Sequence, residues 1–304
     1  SSGRNPAHPH PFFSPDGKKL VCMFRKKDAA EIEREKDEQK KKLGVVSRHI
    51  TRVHFKEDGE GFLPKERWHI WTIDAVTGKG KQLTDSDIFD EWFPRWSPDG
   101  RKIVFCSNRA KDPDLDLDTF DFFMIPSSGG DFRKIKTPLG VKFGPSFSPD
   151  GKWLAYYGME GRGRWWRNLR LWIVPTEGEG RAKNLTEKFD FNISSETLND
   201  LPGSPAMMLP TWSKDGNRIY FQVAHHGNTT LKSIGIEGDK GSLNDVIDTK
   251  GVVGEFNFDK KQLKLAYFHA DIKSPGDIWL RDIVTSRSRR LTEINDTLLN
   301  ELNL

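Results

Sequence analysis

W-S-P-D-G-R-K-I-V-F, Trp96–Phe105, is written again in this chain with few changes. The copies are F-S-P-D-G-K-K-L-V-C from Phe13, F-S-P-D-G-K-W-L-A-Y from Phe147 and W-S-K-D-G-N-R-I-Y-F from Trp212. A worn copy, F-D-K-K-Q-L-K-L-A-Y, starts at Phe258. Ser-Pro-Asp-Gly suits a type I turn, with Ser first, Pro second and Gly fourth. An aromatic residue always precedes it, and a proline stands three residues before the Ser in four copies: Pro11, Pro94, Pro145 and Pro210. Apolar residues follow at plus six (Leu20, Ile103, Leu154, Ile219, Leu265) and plus eight (Cys22, Phe105, Tyr156, Phe221, Tyr267). That period of two predicts a strand with one buried face. Each copy therefore reads as strand, tight turn, strand.

A second phrase follows each copy. Trp68–Asp74 (W-H-I-W-T-I-D) leads to G-K-Q-L-T, Phe122–Pro126 to G-G-D-F-R-K-I-K, Leu169–Pro175 to A-K-N-L-T, and Asp277–Asp282 to R-R-L-T. The fourth unit has the weaker T-L-K-S-I-G-I, Thr230–Ile236. This is a second hairpin. Four short antiparallel strands per unit, repeated, predict an all-β fold, a β-propeller of four-stranded blades. One unit cannot bury its faces alone, so neighbours must stack.

The turns begin at residues 14, 97, 148, 213 and 259, giving gaps of 83, 51, 65 and 46. A blade takes roughly 40–45 residues, so the first and third units carry insertions, at about residues 26–47 and 188–209. In the first, Asp28–Leu43 has 11 charged residues of 16, with Asp37–Lys41 and Glu38–Lys42 at helix-stabilising spacing. It reads as a solvated helix or a loop. The second holds L-P-G-S-P-A-M-M-L-P and reads as a loop. Five units are visible, whereas most propellers have six to eight blades within a range of about four to eight. Either the ring closes on five or these units are part of a larger ring. Residues 1–304 are read as one propeller domain.

Composition narrows the function. Net charge is +4, with both signs mixed along the chain, which gives no basic stripe for a nucleic acid. No run approaches the ~20 apolar residues of a membrane helix, and the polar, proline-rich Ser1–Pro11 is no signal peptide. Cys22 and Cys106, at matching strand positions, read as free, buried thiols in a reducing compartment, so a cytoplasmic address is expected.

No catalytic motif is present: no G-x-S-x-G, H-E-x-x-H, C-x-x-C, P-loop or strand-linked G-x-G-x-x-G. No cofactor or metal is expected. D-P-D-L-D-L-D, Asp112–Asp118, alternates carboxylates but lacks the glycine and glutamate of a calcium loop; it reads as a solvated blade-edge loop. His225 and His226 are adjacent, and on an extended strand they would point opposite ways. R-G-R-W-W-R, Arg162–Arg167, is the most unusual surface candidate. Exposed tryptophan beside arginine suits peptide or protein capture, so Arg164, Trp165, Trp166 and Arg167 are substrate-binding candidates. The structural alternative is one Trp packed between blades and the other covered by an Arg stem. Arg52, in R-H-I-T-R-V-H-F-K-E-D-G, is a weaker candidate for anchoring a carboxylate.

The order of the phrases resembles the prolyl oligopeptidase family of serine peptidases, in its acylaminoacyl-peptidase-like branch. The resemblance is carried by Ile50–Leu63, Trp96–Arg109, Phe268–Leu280 and the closing R-R-L-T-E-I-N-D-T-L-L-N-E, Arg289–Glu301, and covers nearly the whole chain. S-P-D-G itself is shared with TolB-like propellers. The resemblance implies a propeller that caps a C-terminal α/β-hydrolase domain, expected after residue 304. That domain holds the Ser, Asp and His of the triad, so no family catalytic residue falls on this chain. It also implies one or two further blades before the N-terminus. The expected role is to gate short peptides on their way to the hydrolase site; a homo-oligomer is compatible with it. The alternative is a stand-alone TolB-like propeller that binds a protein or peptide.

Overall fold

The computed structural model describes residues 11–45, 47–57, 61–163, 166–178, 180–193, 208–237, 239 and 242–302. The chain forms two compact units, Ser1–Ile135 with Leu139–Val141, and Lys136–Pro138 with Lys142–Leu304. Among the described residues no helix is long and apolar enough to cross a membrane.

The first unit holds two four-stranded antiparallel sheets. One runs Phe12–Phe13, Lys19–Phe24, His69–Asp74, Gly80–Gln82; the other runs Glu91–Trp96, Lys102–Asn108, Phe120–Pro126, Arg133–Lys134. The second unit repeats the pattern with Lys142–Phe147, Trp153–Gly158, Arg170–Pro175 and Lys183–Asn184. Its next two meanders are Thr211–Trp212 through Asn244–Ile247 and Val252–Phe258 through Ser288–Arg290. These two share a single parallel pairing, Thr229 with Val252. All five expected units are thus four-stranded antiparallel meanders.

The repeated turn is built as its residues require. In the first copy Gly17 N donates to Ser14 O at 2.8 Å, and Ser14 Oγ donates to Asp16 Oδ1 at 2.7 Å. Lys18 N also donates to Asp16, and Lys19 N donates to Ser14 Oγ. Gly17, Gly100, Gly151 and Gly216 have φ of 72°, 70°, 72° and 74°, which explains the glycine. In the worn copy Asp259 does the work of both Ser and Asp, accepting from Leu263 N and Lys264 N at 2.7 and 2.8 Å. The serine hydroxyl and then the backbone N–H two residues on hold Asp16, Asp99, Asp150 and Asp215 below the usual carboxylate range. A depressed carboxyl stabilises the fold above its unfolded value, and that contribution is lost as pH falls through the folded value. The melting temperature is therefore expected to hold from pH 7 down to about 4 and then fall as the turns protonate. Asp150→Asn, with the melt followed across that range, should shrink the acid-side loss.

Three features depart from the alternating pattern. The face that the period of two left outward is buried on the central strands of the first three sheets: Val21, Val104 and Ala155, one residue past the expected inward position, are all 0% exposed, while Leu20 and Cys22 of the first are only half-buried. Where both faces of a strand are buried, as at Ile103–Phe105 and Leu154–Tyr156, the polar alternation is lost. The first strand of three sheets carries a bulge, at Trp92/Arg95, Phe143/Ser146 and Val253/Phe256. In the first two the proline sits inside it, after Phe93 (φ 54°) and Gly144 (φ 67°). A bulge removes the ladder bond that proline could not make. Finally, the closing L-T of the outer hairpin is a cap. Thr84, Thr186 and Thr292 Oγ1 accept from Ile70, Leu171 and Ile278 N at 2.9, 3.0 and 3.0 Å.

Adjacent sheets within each unit are stitched by the aromatic before the turn. Trp96 Nε1 donates to Phe12 O, and Trp212 Nε1 donates to Ser146 O, both at 3.0 Å. Phe12 and Ser146 hold the same repeat position. The turns themselves also meet. A Cβ on Gly100 would lie 3.5 Å from Pro15, and one on Gly216 would lie 3.6 Å from Pro149. In the last pair both partners differ. Lys214 stands where the proline was, and Gln262, at φ 55°, stands where the glycine was. Gln262 Oε1 accepts from Lys214 N at 2.6 Å, and its Nε2 donates to Trp212 O at 3.0 Å.

The charged insertion forms two short helices, Ala29–Glu35 and Glu38–Leu43, with no buried residue. Asp37 is not the partner of Lys41 that its spacing suggested. It caps the second helix, accepting from Gln39 N and Lys40 N, and Lys41 pairs with Glu38 at 3.6 Å. A carboxylate serves better on the free N–H groups of a helix start than on a solvated lysine. Most of the second insertion lies outside the described residues. Cys22 is half-buried and Cys106 buried, and neither is in a disulfide; burial pushes the Cys22 thiol up.

Candidate functional site

In each sheet the connection between the second and third strands leaves the end opposite the Ser turn, because antiparallel neighbours reverse direction. Those connections carry the sequence-predicted candidates. The R-G-R-W-W-R segment joins Trp153–Gly158 to Arg170–Pro175. Trp166 is 73% exposed, and the Arg167 guanidinium carbon lies 5.2 Å from its ring centroid. Arg164 and Trp165 lie outside the described residues. Trp166 thus faces the surface, with a cation over its ring.

Arg52 holds a carboxylate, and that carboxylate belongs to its own chain. Its Nε and Nη2 donate to Asp114 Oδ2 and Oδ1 at 3.0 and 2.7 Å, and His54 N adds a third bond. Burial opposes ionisation of Asp114, but the bonds from Arg52 and His54 outweigh it and hold the carboxyl below its usual range. The Asp112–Asp118 loop therefore serves to pin the segment after the charged insertion. No group of three metal-ligating side chains occurs among the described residues.

The histidine pair corrects the expected geometry. His226 leaves the strand at φ 49° and Gly227 follows at 76°, a two-residue turn with both φ positive. The rings of His225 and His226 consequently stack, with centroids 3.8 Å apart, instead of pointing to opposite faces.

Two sites escaped sequence reasoning. In the second unit a groove of about 500 Å³ opens between the fourth and fifth turns. Trp212, Phe256 and Phe258 line it, with Lys214 and Lys260 at the lip. The cue was the aromatic-turn phrase itself, but the gap between two turns is a tertiary fact. In the first unit the wholly buried Glu91 joins three side chains. Its Oε2 lies 2.7 Å from His69 Nδ1 and accepts from Thr84 Oγ1 at 3.0 Å, while Arg109 pairs with Oε1. The Arg109 guanidinium lies over Phe89, Phe123 and Phe132. Burial pushes Arg109 down and the Glu91 charge pushes it back up. The cluster ties the first strand of one sheet, through Glu91, to His69 and Thr84 of the sheet before it.

No family model matches the chain. Dipeptidyl-peptidase 5 of Porphyromonas gingivalis is 23% identical over 305 residues, covering 95% of this chain and 41% of that protein. The Bacillus subtilis protein named uncharacterized peptidase YuxL is 30% identical over 232 residues, covering 75% of this chain and 34% of that one. The chain thus spans about two fifths or less of these relatives. Among solved structures, the Pyrococcus horikoshii acylaminoacyl peptidase superposes with a TM-score of 0.68 at 17% identity, covering 98% of this chain and 40% of that one. TolB from Acinetobacter baumannii gives 0.53 at 20% identity, covering 75% and 50%. The sequence resemblance and the four-stranded sheets lead to one identification: this chain is a propeller-type homologue of the peptidases named dipeptidyl-peptidase 5 and YuxL, and a structural neighbour of acylaminoacyl peptidase and TolB.

Proposed function

We propose that residues 1–304 act as one non-catalytic propeller domain of a serine peptidase of the acylaminoacyl or dipeptidyl type. It admits short peptides to an α/β-hydrolase site elsewhere in the full-length protein. The observation that carries this reading is the match to 95% of this chain by a dipeptidyl-peptidase that is more than twice as long. The absence of G-x-S-x-G in the sequence agrees with it. A ring of stacked sheets is a rigid size filter, and closing a site excludes water from the reacting atoms. A cytoplasmic address, suggested by two cysteines that form no disulfide, belongs to the same reading.

Trp166 and Arg167, with Arg164 and Trp165, are the proposed peptide contacts. Arg52 is a weaker one, since a peptide carboxylate must displace Asp114 from its fork. The test uses two proteins, the chain alone and the protein encoded by the complete reading frame. Only the second should take a fluorophosphonate label and cleave acylaminoacyl or dipeptidyl chromogenic substrates. Trp166→Ala should then raise KM several-fold with little change in melting temperature. Stoichiometric labelling of the chain alone sinks the reading. A complete frame that neither labels nor cleaves favours the stand-alone TolB-like binding module, whose support is the TolB superposition.

A further inference from the structure

Arg95 lies on the first strand of its sheet, Glu91–Trp96, at the repeat position held elsewhere by Phe12, Ser146, Thr211 and Asn257. It is the only charged residue of the five. Its guanidinium carbon sits 3.7 Å from the centroid of the Phe12 ring. Its Nη1 donates to Pro94 O at 2.7 Å. No carboxylate pairs with it among the described residues, although it is half-buried.

Six other half-buried arginines are matched. Arg52 has Asp114, Arg67 has Asp90, Arg109 has Glu91 and Arg290 has Asp277. Arg170 and Arg218 are wrapped by carbonyls, of Thr186 and Phe189 and of Ser233 and Ser242. A guanidinium has five N–H donors, so Arg95 keeps most of its fork unassigned. Burial alone pulls it down to about 9. A charge removed from water without a counter-charge costs stability, and a bidentate carboxylate is the ligand that restores it. The Phe12 ring fixes the plane of the fork in advance.

We propose that Arg95, stacked on Phe12, is a binding point for a carboxylate on a peptide ligand. The peptide part rests on the proposed function; the carboxylate site rests on the geometry of Arg95 alone. The carboxylate comes from a C-terminus or from an acidic side chain, and the fork accepts either.

Calorimetry on the chain separates the sources with three probes: Ala-Ala-Ala-Phe as free acid, the same peptide as C-terminal amide, and acetyl-Ala-Glu-Ala-amide. At least tenfold tighter binding of the free acid than its amide assigns a C-terminus. Tightest binding of the glutamyl peptide assigns a side chain. Arg95→Met should abolish the preference and, without ligand, melt higher than the parent, because it removes an unmatched charge. Arg95→Lys keeps the charge but loses the fork, and should lose most of the preference. Equal binding of all three probes, an unchanged preference in both variants, or a lower melting temperature in Arg95→Met overturns the proposal. Discrimination by the chain beside an inactive full-length protein removes the peptidase reading and leaves the site. Activity without discrimination does the reverse.

Discussion

Glu91→Gln is expected to destabilise the first unit by about 3–5 kcal/mol, the usual cost of removing one partner from a buried ion pair. The Glu91 side chain is wholly buried and accepts from Thr84 and Arg109 while facing His69 Nδ1. Glutamine keeps the shape and one acceptor. It presents an NH₂ group either to the Arg109 donors or to the Thr84 hydroxyl, and it leaves the guanidinium among three phenyl rings without a counter-charge. Urea melts of Glu91→Gln, Arg109→Met and the double variant would check this. The double variant should lose clearly less than the sum of the singles, because the unmatched charge goes with its partner. Strict additivity would show that Glu91 and Arg109 act separately.

Trp212→Ala should cost a similar ~3–5 kcal/mol, for a different reason. The indole is 6% exposed within the apolar core of the second unit, which includes Tyr157, Leu171 and Phe221. Its Nε1 bonds Ser146, and its carbonyl takes the Gln262 amide, so one residue joins three successive repeats. Trp212→Phe keeps most of the apolar area and loses the Nε1 bond. It should recover more than half of the loss, measured by the same melts. Equal losses for Ala and Phe would place the stability in the hydrogen bond and not in the packing.

The repeat was plain in the sequence because turn chemistry is local. A Ser, an Asp and a Gly within four residues determine the turn whatever surrounds it. The bulges were hidden for the opposite reason. Phe93 at φ 54° uses a residue type that gives no hint of that conformation, and only its neighbours hold it there. Val21 and Ala155 look like outward positions until the neighbouring sheet of their own unit packs against them. Of the candidate site, Trp166 stood out by composition, since exposed tryptophan is rare. The partner of Arg52 is 62 residues away in the chain, and no pattern near Arg52 points to Asp114. Arg95 was silent too: its distinction is the lack of a partner, which exists only in three dimensions.

The exchange of Pro for Lys214 and of Gly for Gln262 reaches beyond stability. A proline turn offers no N–H to its neighbour, and the glycine that faces it has no side chain to accept one. Lysine exposes an N–H, and glutamine supplies the oxygen that accepts it. The fourth and fifth repeats therefore fit each other by a different rule from the first and second. A chain that grew by copying one module has lost interchangeability at this seam. Recombination that moved the fifth module behind a proline-bearing turn would set the glutamine against a ring with nothing to donate. Divergence after duplication has in this way written an address into the array, fixing which copy can follow which.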